Sequence, residues 1–291
     1  MPYLYLALSV ICIASSSICG GFFTRRTKNY KDQTSLFNLI NILSMLIFFC
    51  VYYAFDFSFD PKVLLYSLAI GICLPLSTIS YVYALKNGSV ALTSLLFQTS
   101  LIFVTIWGLI FWGAPFKITV VIGIVLVIIS LSLCILSPKK TEEKNKTVSP
   151  KWFFWAILSL VCNATSTIFQ REQQMRFNGK HGSMLMVFAL LISSIVCLVI
   201  YLKSDKSQSK IVLKKQWFLP VSNGLMTGAT NVFVILLATS TLSPSLIYPV
   251  IAVGGLMISM LFSLFAFKEK LKWWQWLGFG IGAVAIALIN L

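Results

Sequence analysis

The chain of 291 residues is 58% hydrophobic and 11% charged, with 23 Lys and Arg against 8 Asp and Glu. A soluble domain carries about 25% charged residues, so this composition excludes an ordinary soluble fold and indicates an integral membrane protein. The formal charge of +15 does not indicate nucleic-acid binding, because the basic residues lie in loops between apolar runs and no basic folded domain carries a binding face.

Ten apolar runs follow one another along the chain, each near the ~20 residues that a helix needs to cross a ~30 Å bilayer core. Backbone groups in lipid must be satisfied internally, so these runs predict helices, whereas a β-barrel would show shorter alternating segments. We therefore predict an all-α integral membrane protein with ten transmembrane helices. The predicted spans are Tyr3–Phe23, Thr34–Phe55, Val63–Ala84, Ala91–Trp112, Ile118–Leu136, Trp152–Gln170, Met184–Leu202, Trp217–Ala238, Pro244–Phe267 and Trp273–Asn290.

Loop charges predict how these spans are oriented. The first run lacks the basic n-region and the cleavage site of a signal peptide, so it counts as a retained span. With the N-terminus outside, 18 of the 23 Lys and Arg residues fall in cytoplasmic loops. The positive-inside rule then predicts both termini outside the inner or plasma membrane of a bacterial-type cell. The opposite side keeps Lys62, Lys117, Arg171, Arg176 and Lys180.

One polar segment divides the chain at its middle into five runs and five runs. An odd number of spans per half inverts the second half relative to the first, which is a recurring transporter plan. Corresponding positions support a repeat: Ala84 and Ala238 close the third and eighth runs, and Gly123 and Gly278 open the fifth and tenth. We predict two inverted five-helix repeats joined by a cytoplasmic linker. These parts are residues 1–137, 138–151 and 152–291.

Three stretches carry a resemblance to a known family. They are Ala84–Ser89 with the run after it, Ala238–Pro249, and Phe267–Leu271. In these residues the chain resembles the drug/metabolite transporter superfamily, in its EamA-like ten-span branch. That family places a Gly-Glu-like turn before the last helix of each half. Glu269 matches the turn in the second half, whereas the first half keeps Gly113 and loses the acid. The resemblance implies a transporter, and it favours export over uptake.

No carboxylate lies in the middle of a predicted span. Intramembrane carboxylates are the usual proton relays of transporters, so an antiporter that exchanges protons for cationic drugs is disfavoured. Glu172, at the end of the sixth run, is the nearest candidate for gating or ion coupling. The alternative is an interfacial acid beside Arg171 or Arg176. The acids of the chain are Asp32, Asp56, Asp60, Glu142, Glu143, Glu172, Asp205 and Glu269.

Neutral polar side chains form faces on several runs. In the sixth run they recur at helical spacing, and amide or hydroxyl groups in a bilayer must face protein or a water-filled cavity. Such a face either lines a substrate cavity or hydrogen-bonds a neighbouring helix. In the first run, Ser15–Ser17 are expected to serve packing. The other polar positions are Asn163, Ser166, Thr167 and Gln170 in the sixth run, Asn223, Thr227, Thr230 and Asn231 in the eighth, Gln98 in the fourth, and Ser77 and Tyr81 in the third.

The pair Tyr248-Pro249 lies inside the ninth run. Pro249 has no backbone N–H, so the carbonyl of Ser245 loses its helical donor. A free carbonyl at membrane depth is tolerated only against protein or a cavity. Tyr248 brings an aromatic ring and a hydroxyl to the same depth. The pair therefore either contacts a substrate or makes a kink that only shapes packing.

Catalytic chemistry has little support in the sequence. His181 is the single histidine and lies in a loop, and the seven cysteines lie inside apolar runs without a CxxC motif. No Ser/His/Asp, paired-carboxylate or metal-ligand spacing is present. We predict no enzyme activity, no metal and no cofactor.

These patterns predict a transporter that moves a small neutral or zwitterionic metabolite, such as an amino acid, across the plasma membrane by alternating access. We expect an exporter or exchanger, with the lipid bilayer as its surroundings, acting as a monomer or homodimer. A multidrug or other metabolite permease of the same fold and a non-transporting membrane scaffold are the alternatives. The predicted substrate contacts are Tyr248, Asn163, Thr167, Gln170, Asn231, Thr227, Gln98 and Tyr81, and the predicted gating or coupling residues are Glu172 and Pro249.

Overall fold

The computed structural model describes residues 1–27, 30, 33–55, 57–87, 90–113, 117–135, 150–266 and 273–290. Over these residues the regular secondary structure is helical, as the composition predicted. Eleven helices fall within the described ranges, because a short helix, α8, lies between the seventh and eighth predicted runs. They are α1 (Pro2–Arg26), α2 (Thr34–Phe55), α3 (Val63–Asn87), α4 (Val90–Phe111), α5 (Ile118–Ile135), α6 (Pro150–Arg176), α7 (Gly182–Lys203), α8 (Ser209–Gln216), α9 (Phe218–Ala238), α10 (Pro244–Ala266) and α11 (Trp273–Asn290).

Six helical segments in the described part of the chain are long and apolar enough to cross a membrane. They belong to α1, α2, α3, α6, α7 and α9. Four shorter apolar segments lie in the remaining long helices, as Thr99–Phe111, Ile118–Leu133, Pro244–Ile258 and Trp276–Ala285. The chain therefore has the helices of a multi-pass membrane protein.

Helix α6 continues past the predicted end of the sixth run, from Gln170 to Arg176. Gln, Glu and Arg are good helix formers, and Glu172 and Arg176 form an i,i+4 ion pair that supports the added turn. The helix stops before Asn178 and Gly179, which both have positive φ. Hydropathy alone placed the end too early because the added residues are polar.

Packing divides the chain into two compact units, each built from both halves of the sequence. Unit 1 is Met1–Pro75 with Phe169–Ser240, and unit 2 is Leu76–Ile168 with Thr241–Leu291. The chain crosses from one unit to the other three times: inside α3, inside α6 and between Ser240 and Thr241.

In unit 1, helix α2 packs against α7 through a cluster of buried apolar side chains that includes Met45, Phe49, Met186 and Leu190. On its other side α2 approaches α9 very closely. A Cβ on Gly224 of α9 would collide with the carbonyl oxygen of Asn41. Only glycine allows the two helix backbones to lie this close together.

Pro75 interrupts the hydrogen-bond ladder of α3, because proline has no N–H to donate to the carbonyl of Gly71. A neighbouring helix supplies the missing donor. The hydroxyl of Ser193 in α7 donates to the Gly71 carbonyl at 3.0 Å and is fully buried. This contact satisfies a carbonyl that would otherwise be costly in an apolar surrounding, and it also joins α3 to α7.

In unit 2, helices α5 and α11 are joined in the same manner. The Ser130 hydroxyl in α5 donates to the carbonyl of Gly278 in α11 at 2.7 Å. A Cβ on Gly282 would come within 2.7 Å of the Ser130 oxygen and 2.8 Å of Val253 in α10. The Gly278 and Gly282 face of the last helix therefore packs inside the chain.

Replacing Gly224 by Ala should force α2 and α9 apart. We expect the free energy of unfolding to fall by about 1–3 kcal/mol, the usual cost of overpacking. The measurement is thermal unfolding of the purified protein in detergent. Gly21→Ala in α1 is the matched control, since a Cβ there meets nothing within 4 Å. Equal melting temperatures for both variants would contradict the close approach.

Candidate functional site

Hydrogen bonds join α1 to α9 inside unit 1. The Asn223 side-chain amide donates to the Ser16 carbonyl at 2.6 Å, and the hydroxyls of Ser16 and Thr227 lie 3.0 Å apart. The Thr227 hydroxyl also lies 2.8 Å from the Asn223 carbonyl of its own helix. Neutral side chains thus bridge the two helices.

The same network reaches α6 through Asn231 and Gln170. The Asn231 amide donates to the Thr227 carbonyl at 2.9 Å, and its side-chain oxygen accepts from the Gln170 amide at 3.4 Å. The last distance is long for a hydrogen bond. Gln170 is buried at 6% exposure, whereas Asn231 and Thr227 are partly exposed. The weakest bond of the network therefore joins α6 to α9.

The two residues directly after Gln170 in α6, Arg171 and Glu172, are charged. Arg171 is 6% exposed, although its position after the sixth apolar run predicts a loop residue. The Glu172 carboxylate accepts from Arg176 at 2.6 Å, and Arg176 is 66% exposed. The pair has the geometry of the interfacial alternative for Glu172, and its predicted part in gating or coupling stays a prediction.

Buried glutamines occupy the turn after Gln170. Gln173 and Gln174 are fully buried and hydrogen-bonded to each other. The Gln173 amide also donates to the Lys180 carbonyl at 3.0 Å. These bonds hold the end of α6 against the segment that leads into α7.

Unit 2 contains a second group of predicted site residues. The Asn163 amide in α6 donates to the Ser100 hydroxyl in α4 at 2.6 Å. The hydroxyls of Ser166 and Thr167 both donate to the Asn163 carbonyl, at 2.9 and 3.1 Å. The i, i+3, i+4 spacing that defined this face therefore gives local bonds within α6 and one bond to α4.

The remaining predicted residues of unit 2 lie on other helices. Tyr81 in α3 packs its ring 4.8 Å from the ring of Phe97. Tyr248 is 1% exposed inside α10, next to Pro249 within the helix. The side chain of Gln98 and the whole of Glu269 lie outside the described residues.

The structure thus brings Thr227, Asn231 and Gln170 into one network, and Asn163 and Thr167 into another. Sequence reasoning missed Ser16 and Ser100 as hydrogen-bonding partners. Ser16 belongs to the stretch Ser15–Ser17, for which the sequence predicts a packing role. Neither pairing can be read from sequence spacing, because the partners are 211 and 63 residues apart. Among the described residues no cluster of three His, Cys, Asp or Glu side chains could hold a metal ion.

Comparisons with known proteins agree with this architecture. The profile of the EamA-like transporter family matches residues 1–136 and 150–291. A solved structure, titled only "Crystal structure of protein", covers 99% of this chain and 95% of its own length, with a TM-score of 0.75 at 11% sequence identity. At that identity the likeness shows the fold alone. A search of curated proteins by sequence finds no match.

The contact between Ser16 and Thr227 can be measured by a double-mutant cycle. Ser16→Ala and Thr227→Val should show a coupling energy of about 0.6 kcal/mol, the average for interhelical hydrogen bonds in a membrane. The readout is the free energy of unfolding from mixed micelles. Ser9→Ala with Thr227→Val is the control cycle, because the Ser9 hydroxyl donates to Leu6 in its own helix. Equal coupling in both cycles would argue against the α1–α9 bond.

Proposed function

This chain belongs to the EamA-like transporter family, and we propose that it carries a small neutral or zwitterionic metabolite, such as an amino acid, across the membrane by alternating access. The family match makes the chain a membrane transporter of the drug/metabolite type. We further propose ten spans in two inverted repeats, residues 1–137 and 152–291, in a bacterial-type plasma membrane with both termini outside. Transport would run as export or exchange, without an enzymatic step.

The neutral hydrogen-bonding network of unit 1 supports the proposed substrate class. Its side chains offer amide donors, amide acceptors and hydroxyls, and Gln170 is buried next to partly exposed Asn231 and Thr227. Such groups match the polar atoms of an amino acid or a similar metabolite. A multiply charged phosphate ester would instead favour several cationic partners.

The long bond between Gln170 and Asn231 supports a role in binding. A long bond is weak, so its two amides can exchange it for bonds to a solute at little cost. Two other bonds are shorter. The Asn231 amide donates to the Thr227 carbonyl within α9 at 2.9 Å, and the Asn223 amide donates to the Ser16 carbonyl of α1 at 2.6 Å. In this proposal Gln170 and Asn231 change partners during transport, while Asn223 and Ser16 keep the helix pair fixed.

Other contacts are proposed from the sequence pattern together with their surroundings. Tyr248 and Asn163 bring a hydroxyl and an amide, with Thr167, Tyr81 and Gln98 as additional substrate contacts. The amide of Asn163 is bonded to Ser100 at 2.6 Å, so a solute would have to compete with this bond. Pro249 is proposed as the flexible point of α10, because proline breaks the helical hydrogen-bond ladder there.

Asn231→Leu keeps the side-chain size and removes both polar atoms of the amide. We expect transport to fall at least about tenfold, since losing one hydrogen bond to a solute costs roughly 1.5 kcal/mol. Transport is measured in proteoliposomes with the amino acid that most raises the melting temperature in a thermal-shift screen.

Thr230→Val is the matched control on the same helix, because among the residues that the structure describes the Thr230 hydroxyl bonds to the Met226 carbonyl of α9 alone, at 2.9 Å. Normal transport by a well-folded Asn231→Leu protein would remove the network from the binding site. A loss of transport in both variants would indicate a general effect on α9.

Glu172→Gln tests the proposed coupling role. If the carboxylate carries a coupled proton, the variant should lose the dependence of transport on an imposed pH gradient, while Arg176→Gln keeps it. Equal effects of the two substitutions would assign the pair to gating. Unchanged rates and unchanged pH dependence in both variants would remove Glu172 from the mechanism.

A further inference from the structure

Helix α8 is anchored on one side and exposed on the other. Val212 is 1% exposed and belongs to a buried cluster with Phe23, Leu36 and Leu219. Ser209, three positions earlier on the same face, is also buried. The opposite arc of this short helix faces away from the core of unit 1. Its exposed side chains are Lys210, Ile211, Leu213, Lys214, Lys215 and, directly after the helix, Trp217.

The exposed arc is strongly basic. The ammonium groups of Lys210, Lys214 and Lys215 have no ion-pair partner among the residues that the structure describes. Residues 203–218 contain five lysines and a single acid, Asp205. The Asp205 carboxylate accepts from the backbone N–H of Ser207 at 2.9 Å. The segment therefore presents a positive surface with little internal compensation.

The same arc also exposes large apolar side chains. Ile211 is 48% exposed, Leu213 is 43% exposed and Trp217 is 55% exposed. A nucleic acid bound to this basic surface through its phosphate backbone would leave these apolar side chains in water. An interface between lipid headgroups and acyl chains accommodates both kinds of group, because the ammoniums meet phosphates while the apolar side chains enter the hydrocarbon edge.

The connection to α9 favours a position of α8 at the interface between lipid headgroups and acyl chains. Helix α9 is a segment long and apolar enough to span the membrane, and it begins at Phe218. Pro220 cannot donate to the Gln216 carbonyl, so the helical ladder is interrupted between α8 and α9. Trp217 stands at this junction, and tryptophan is typical of membrane interfaces. Arg26 of α1 donates to the Gln216 side-chain oxygen at 3.3 Å, and its guanidinium carbon lies 5.9 Å from the centre of the Phe218 ring. These contacts join the junction to α1.

We propose that α8 is a binding site for anionic phospholipid, with Lys210, Lys214 and Lys215 contacting the headgroup phosphate and Ile211, Leu213 and Trp217 contacting the acyl chains. The site lies on the side of the membrane that carries most of the basic loops. It holds a specific class of lipid at the start of α9, and it is independent of the transported solute.

The test uses the full-length protein in nanodiscs that contain equal amounts of phosphatidylglycerol and phosphatidylcholine. The bound lipid is counted by native mass spectrometry after extraction. Wild type should retain phosphatidylglycerol selectively. Lys210→Gln/Lys214→Gln/Lys215→Gln should lower the selectivity about a hundredfold, taking about fivefold per lysine near the membrane surface. The control Lys62→Gln/Lys117→Gln/Lys180→Gln, which removes three exposed lysines elsewhere, should match wild type.

A second arm separates the apolar from the electrostatic contribution. Ile211→Gln/Leu213→Gln should lower retention at every salt concentration, whereas high salt should release the lipid from wild type. Equal retention by the α8 lysine variant and wild type would overturn the proposal. So would equal loss in the control variant, or retention by wild type that salt does not change.

Discussion

The constraint on which the structure depends is that polar backbone and side-chain groups buried among apolar helices must find hydrogen-bond partners. One device meets it repeatedly: a hydroxyl or amide on one helix donates to a backbone carbonyl on another. Asn223 donates to Ser16, Ser193 donates to Gly71, and Ser130 donates to Gly278. In the second case the carbonyl is free because of Pro75. Each bond satisfies a polar group and also selects which helix is the neighbour.

Close approach of helices accompanies these bonds. The glycine Gly224 follows Asn223 and allows α2 to lie against the other face of α9, while Gly282 lies beside Ser130. Small residues and hydrogen-bonding residues thus occupy adjacent positions on the same helices. Hydrophobic burial distinguishes poorly between one apolar helix and another in a membrane, because lipid is as apolar as leucine. Steric fit and polar pairing therefore decide the arrangement within each unit.

The distribution of charge separates two kinds of chemistry in this chain. The network from Ser16 through Thr227 and Asn231 to Gln170 is neutral. Cations are instead concentrated at the ends of the long helices and in the segments between them, including α8. This separation agrees with the proposed transport of a neutral solute and with the proposed lipid contact at α8. Arg171 is the exception, since it is buried at the end of α6.

Sequence alone determined the helical class, most helix positions and the family, because apolar runs of bilayer length and their turns are local features. It also identified the polar faces that contain Thr227, Asn231 and Gln170. It missed α8 and the last turn of α6, because polar and basic residues lower the mean hydropathy there and a search for apolar runs does not find such helices. Tertiary structure alone decided which helices pair: Ser16 meets Thr227 across 211 residues, and each unit combines helices from both halves of the chain. A periodic pattern specifies which face of a helix is polar, but only packing and hydrogen bonding specify the face that it meets.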